Sequence, residues 1–214
     1  MVLARLQSLL GEIYDVEPPL DVAAFLVTDR SIASRWAEEP PATDEALFFR
    51  ESDDGLDLAL YVDAAVLQRL ESADPFARLT EDNLQDCCTA LEGVSHLLYL
   101  AWSALQGRPV SLLELETQAE VDKFAATLLL SGARAGREVR ELHDRLFAKV
   151  RFASRLDPEQ LRRYQAANRF AARFCGRLAG RWLDTPRASH QGLFRDLRRF
   201  YRLPNARKMA HVHG

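Results

Sequence analysis

The spacing of apolar residues predicts a short helix at the start of the chain, followed by a small sheet. Residues 2–14 carry Leu or Ile at every third or fourth position, as one face of an amphipathic helix requires. Residues 56–63 instead alternate apolar and polar side chains directly after Asp54-Gly55, a dipeptide typical of tight hairpin turns. We therefore predict a small N-terminal antiparallel sheet with strands at 20–28, 45–52 and 56–63.

Beyond Pro75 the pattern becomes helical. Helix starts are indicated by Thr80, by a capping box of Ser111 and Glu114, and by Asp157-Pro158. Together with the apolar spacing, these signals predict five helices, at 80–106, 111–131, 136–154, 157–183 and 189–203. The fold class is thus α+β, with a small α+β region at 1–75, a helical bundle at 76–203 and a flexible or docked tail at 204–214.

The predicted helix 111–131 carries polar side chains on two opposite sides. One side, expected to face water, holds Glu114, Gln118, Asp122 and Ala125. The other side, expected to point into the protein, holds Glu116, Glu120, Lys123 and Thr127. We call these the first and second polar stripes. Buried carboxylates must be paired, protonated or bound to metal, so the second stripe indicates an unusual interior.

The preceding helix places Glu92 and His96 four residues apart, on one face. Because the two helices are joined by about four residues, they should pack antiparallel, and Glu92, His96, Glu116 and Glu120 can converge. These four residues, with Lys123 as an electrostatic partner, are the candidate catalytic residues and the weak candidate metal ligands. Di-metal bundles use Glu-x-x-His, which this spacing does not match. An internal salt-bridge network is therefore the preferred interpretation, and a small-molecule pocket and a bound metal are the alternatives; no cofactor is expected.

Charge is divided unevenly along the chain. Residues 158–214 contain 13 Lys+Arg and three acidic residues, a net charge of +10. Because the whole chain has a net charge of −3, residues 1–157 have a net charge of −13. The predicted helix 157–183 has a basic face with two interleaved aromatic residues, formed by Arg162, Arg169, Arg173, Arg177, Arg181, Phe170 and Phe174. We call this set the arginine face. It suits contact with nucleic acid, but the pI of about 6.0 favours a protein partner or a homodimer.

The remaining features bear on location. Three cysteines without Cys-x-x-Cys spacing argue against disulfides and zinc fingers, and no apolar run approaches the ~20 residues that span a bilayer. The N-terminal residues do not resemble a signal peptide. We expect a cytoplasmic binding or interaction protein without membrane contact. The alternatives are a helical-bundle enzyme with a Glu/His site between the two long helices, and a nucleic-acid-binding protein that uses the arginine face.

Overall fold

The computed structural model describes residues 1–18, 20–37, 40–52, 55–133, 136–150, 152–154, 156–182, 190–204 and 207–208. Its helices are α1 (Val2–Tyr14), α2 (Arg30–Ala33), α3 (Ala64–Ser72), α4 (Glu81–Leu105), α5 (Leu112–Ser131), α6 (Arg137–His143), α7 (Pro158–Trp182) and α8 (His190–Arg202). Its strands are β1 (Leu26–Val27), β2 (Glu45–Ser52) and β3 (Gly55–Val62). The predicted α+β class with a helical bundle is confirmed. Within these ranges, no helix combines the length and apolar character needed to cross a bilayer.

The sheet has three strands in the order β1-β3-β2. β2 and β3 form the predicted hairpin, in which Ser52 pairs with Gly55; the predicted turn residue Asp54 lies outside the described residues. The first strand differs from the prediction. Val22–Phe25 forms a 3₁₀-helix because the Asp21 side chain accepts the Ala23 N–H, which leaves two residues to pair in parallel with β3. The sheet is therefore mixed rather than wholly antiparallel.

The third predicted bundle helix is shorter than its pattern indicated. α6 begins after Gly136, whose φ is +64°, and its last turns widen into a π-helix over Asp144–Ala148. Such widened turns interrupt the regular 3.6-residue spacing on which the prediction over 136–154 depended.

α5 lies at the centre of the molecule, in contact with α1, α4, α6 and α7, while the sheet packs against α4. The hairpin comes unusually close to α4 at Gly93. A Cβ atom at this position would lie 2.8 Å from Leu60 Cδ1 and 2.9 Å from Glu45 Cγ, so only glycine leaves room for both side chains. The hydrophobic core is continuous and includes Leu6 of the N-terminal region and Phe124 of the bundle.

Candidate functional site

Both polar stripes of α5 are buried. Glu114 and Gln118 are 0% exposed and Asp122 is 1% exposed, so the expectation that the first stripe faces water is wrong. Other parts of the chain cover it: α1 packs against α5, and Lys208, near the C-terminal end, reaches Gln118. The second stripe points into the protein as predicted.

The first stripe forms a hydrogen-bonded network. Asp122 accepts hydrogen bonds from Tyr14, from Ser95 at 2.6 Å and from Gln118 at 2.6 Å. The Lys208 Nζ donates to Tyr99 Oη and to Gln118 Oε1, each at 2.8 Å. Burial raises the pKa of Asp122 to about 6 and lowers the pKa of Lys208 to about 7. This network ties α1, α4 and α5 to the C-terminal segment, part of which is therefore docked.

In the second stripe, Lys123 lies between two carboxylates. Its Nζ is 3.1 Å from Glu92 Oε2 and 2.7 Å from Glu120 Oε1. Burial alone would lower the pKa of Lys123, but attraction to Glu120 and Glu92 outweighs it and holds the pKa well above its usual value. Burial also raises the pKa of Glu120, against the attraction of Lys123. The contacts of Lys123 with Glu92 and Glu120 match the predicted salt-bridge network.

His96 connects these residues to the sheet. We call Glu45, Glu92, His96, Glu116, Glu120, Lys123 and Arg163 the cluster. The Nδ1 of His96 is 3.3 Å from Glu45 Oε1 and its Nε2 is 3.4 Å from Glu116 Oε2, while the residue is only 6% exposed. Nε2 makes no hydrogen bond within the described part of the chain. If Nδ1 donates to Glu45, the neutral ring presents a lone pair on Nε2 toward Glu116. Without a cation there, burial lowers the pKa of His96, but Glu45 and Glu116 outweigh it and raise the pKa well above its usual value.

Three of the four predicted metal ligands converge. One donor atom each from Glu92, His96 and Glu116 lies within 4.8 Å of the other two. Ligands that share a transition-metal ion at about 2.1 Å in tetrahedral geometry are about 3.4 Å apart, so a pair at the 4.8 Å limit would have to close by roughly 1.4 Å to complete the site. Mixed carboxylate and imidazole donors suit Mn²⁺, Fe²⁺ or Zn²⁺. Glu120 is held by Lys123 and stands outside this group of three.

A cavity of about 450 Å³ opens beside the cluster. Its polar lining includes Glu45, His96, Glu116, Arg163 and Tyr164, and its apolar lining includes Leu47, Phe49, Leu112, Leu115 and Leu156. A second cavity of about 210 Å³ contacts the cluster at Glu92, Glu120 and Lys123. The charged residues thus form a partition between two cavities.

The cluster holds more negative than positive charge. Among the residues that the structure describes, four carboxylates, Glu45, Glu92, Glu116 and Glu120, are accompanied by two permanent cations. These are Lys123 and Arg163, whose Nε is 3.6 Å from Glu116 Oε1. With His96 neutral, two negative charges remain, and buried charges must be compensated. Two protons are one solution: one on His96, whose pKa is raised by Glu45 and Glu116 in spite of burial, and one on Glu45, whose pKa burial raises to about 7. One divalent cation is the other.

The arginine face is only partly as predicted. Arg162, Arg169, Arg173, Arg177 and Arg181 are all exposed on α7. Phe174, however, is 2% exposed and stacks on Phe200 with ring centroids 4.1 Å apart, and Phe170 packs against the core. Phe174 is therefore a core residue rather than a surface for base stacking, and any polyanion would meet the arginines alone.

Sequence reasoning missed three residues of the site. Glu45 shares a strand face with Leu47, and a carboxylate on an apolar strand face was a usable signal. Tyr164 lies away from the arginine face and Arg163 lies at its edge, at the same helical angle as Arg181. The packing of α7 against α5 brings both residues to the cavity. No protein-family model matches this chain, and neither a curated protein nor a solved structure matches it.

Proposed function

We propose that this protein is a metal-dependent enzyme whose divalent ion is bound by Glu92, His96 Nε2 and Glu116. One observation carries the proposal: Nε2 is buried without a hydrogen-bond partner in the described ranges and faces a carboxylate, while Nδ1 faces Glu45. A metal-bound histidine usually donates its other ring N–H to a carboxylate or carbonyl in this way. Three protein ligands beside a cavity are typical of catalytic rather than closed structural sites.

The surrounding residues would orient the ligands. Glu45 fixes the ring of His96, Lys123 contacts Glu92, and Arg163 lies beside Glu116, so each ligand has a second charged neighbour. An ion with open coordination positions lowers the pKa of a bound water toward neutrality and supplies a nucleophile. We therefore propose hydrolysis as the reaction class, with the substrate bound in the larger cavity.

The test is metal analysis of untagged protein after dialysis, followed by Mn²⁺ and Zn²⁺ titration of EDTA-treated protein. We expect about one ion per chain and a loss of affinity on the order of 100-fold in His96→Ala, because a direct ligand is removed. His143→Ala is the matched control, since His143 is a partly buried histidine that contacts the Ala172 carbonyl oxygen at 2.9 Å. Wild-type protein without stoichiometric metal, or unchanged affinity in His96→Ala, contradicts the proposal.

A second candidate function, binding of a polyanion or protein partner, is supported by the five exposed guanidinium groups of the arginine face. They extend over about 28 Å at 1.5 Å per residue. Arg169→Glu with Arg173→Glu should weaken binding to single-stranded DNA and make it less salt-dependent. Arg50→Glu with Arg78→Glu changes the charge equally at other exposed positions. Equal binding by both double variants removes this candidate.

The same double variants test the proposed protein partner or homodimer by light scattering. A dimer that uses the arginine face dissociates in Arg169→Glu with Arg173→Glu and persists in the control.

A cytoplasmic location is also a proposal. It is supported by the free thiols of Cys87, Cys88 and Cys175, all of which are buried.

A further inference from the structure

We infer that the larger cavity binds a small oxyanion that carries an apolar group, and that Arg163 holds the oxyanion. This inference rests on the proposed function, because it places the ligand beside the proposed ion.

Arg163 is the first support. Its side chain is 18% exposed and lines the cavity, and its Nε is buried without a hydrogen-bond partner among the described residues. Among the described residues, the carboxylate oxygen that pairs with it is Glu116 Oε1, which is 3.6 Å away and beyond good hydrogen-bond distance. A buried donor left without a partner is costly, and the guanidinium fork matches the spacing of carboxylate and phosphate oxygens. A ligand oxyanion in the cavity would give this guanidinium group an acceptor.

The apolar lining is the second support. Leu47, Leu115 and Leu156 contribute to the wall, and Phe49 and Leu112 remain 48% and 47% exposed. These side chains offer surface that an apolar part of a ligand would remove from water. A bare inorganic anion would use Arg163 and leave this wall uncovered, whereas a neutral apolar molecule would leave Arg163 unsatisfied.

The position of Glu116 relates the two parts of the site. Its Oε2 faces His96 Nε2 and its Oε1 faces Arg163 Nε, so a single carboxylate separates the proposed ion from the guanidinium. An oxyanion bound by Arg163 would therefore lie next to the ion. The bonds beside that oxyanion would be the ones exposed to a metal-activated water.

The experiment uses Mn²⁺-loaded protein and four probes: phenyl phosphate, benzoate, inorganic phosphate and phenol. Nuclear relaxation caused by bound Mn²⁺ reports both binding and proximity to the ion. We expect phenyl phosphate or benzoate to bind and relax strongly, and which of them binds more tightly identifies the oxyanion. Inorganic phosphate and phenol should each bind at least tenfold more weakly, because each lacks one half of the recognised pattern.

At Mn²⁺ concentrations that saturate each protein, Arg163→Met should weaken binding of the preferred probe about tenfold or more, with partial recovery in Arg163→Lys. Arg162→Met is the control, since Arg162 is the exposed neighbour on the same helix and is absent from the cavity lining. If Mn²⁺ binds but no aromatic anion does, or if Arg163→Met binds it like wild type, this inference fails alone. If Mn²⁺ itself does not bind, the proposed function fails.

Discussion

Glu45 Oε1 lies 3.3 Å from His96 Nδ1, although the two residues are 51 positions apart in the chain. β2 begins at Glu45, and His96 lies within α4, so the contact depends on the close approach of the hairpin to that helix. A carboxylate in this position fixes the tautomer of a metal-bound imidazole and raises its basicity. We expect Glu45→Gln to bind Mn²⁺ roughly 10–100-fold more weakly than wild type while remaining folded.

Free Mn²⁺ measured by electron paramagnetic resonance during titration gives both affinities. Asp57→Asn is the control, because Asp57 is an exposed acidic residue of β3, and it should bind Mn²⁺ like wild type. Wild-type Mn²⁺ affinity in Glu45→Gln would show that metal binding by His96 does not depend on the Glu45 carboxylate.

The position of Glu45 illustrates what local sequence patterns convey. Spacing predicted that Glu92 and His96 share a helix face and that Glu116 and Glu120 point inward, because both statements follow from 3.6 residues per turn. It did not predict which strand approaches α4. The approach of the hairpin to α4 depends on a contact between distant parts of the chain: Gly93 has no side chain, which leaves space for Leu60 and Glu45.

The burial of the first stripe of α5 is not predictable from its helical pattern, for a related reason. A helix with polar residues on one side usually exposes that side, yet Gln118 and Asp122 are enclosed and hydrogen-bonded. Their partners come from both ends of the chain, Tyr14 from α1 and Lys208 from the C-terminal segment. No pattern within a single helix can reveal partners at such sequence separation.

Removing the Lys123 ammonium group, which lies between Glu92 and Glu120, should lower the stability of the protein because both carboxylates are buried. In Lys123→Met the two groups lose the partner that lies 3.1 Å and 2.7 Å from them. Breaking a buried pair in this way costs about 3–5 kcal/mol, so we expect a much lower melting temperature in EDTA. Mn²⁺ should raise that temperature more in the variant than in wild type, since the ion would restore positive charge at Glu92.

Arg69→Met is the comparison for Lys123→Met. The Arg69–Asp86 pair has a similar N···O distance of 2.7 Å, but the arginine side chain is 56% exposed. Its loss should cost much less stability than the loss of Lys123 and should not respond to Mn²⁺. If Lys123→Met melts like wild type in EDTA, the carboxylates do not depend on this lysine.

Substitution at Gly93 tests the contact between the hairpin and α4. A Cβ there would lie 2.8 Å from Leu60 Cδ1 and 2.9 Å from Glu45 Cγ, so Gly93→Ala should force the strand outward. Overpacking of this kind costs about 1–3 kcal/mol, and displacement of Glu45 should also weaken Mn²⁺ binding. Urea denaturation measures the first effect and Mn²⁺ titration the second.

Gly180→Ala separates this steric effect from helix propensity. Gly180 lies in α7 with nothing within 4 Å of an added Cβ, so alanine should stabilise the protein by up to about 1 kcal/mol. Equal stabilisation by both substitutions would mean that the hairpin has room at Gly93.

Lys208 should give the protein a distinctive response to alkaline pH. Burial lowers its pKa from the usual 10.5 to about 7, against the attraction of Glu114 and Asp122 and with a further lowering from Arg108. Between pH 7 and 9 the unfolded chain therefore holds more protons on this lysine than the folded protein, so stability increases with pH. The gain over this range is roughly 2 kcal/mol. Lys208→Met should lose the slope, because methionine fills a similar volume without titrating.

Urea denaturation of wild type and Lys208→Met at pH 7, 8 and 9 compares the two pH dependences, which differ through Lys208 itself and through Asp122, whose pKa the lysine lowers. The variant should be at least as stable as wild type at pH 7, where wild type carries the cost of a partly charged buried amine. The difference should then shrink or reverse toward pH 9, where a neutral amine keeps its hydrogen bonds to Tyr99 and Gln118. Parallel pH dependence in the two proteins would mean that Lys208 remains charged in the folded state, as a partner of Glu114 and Asp122.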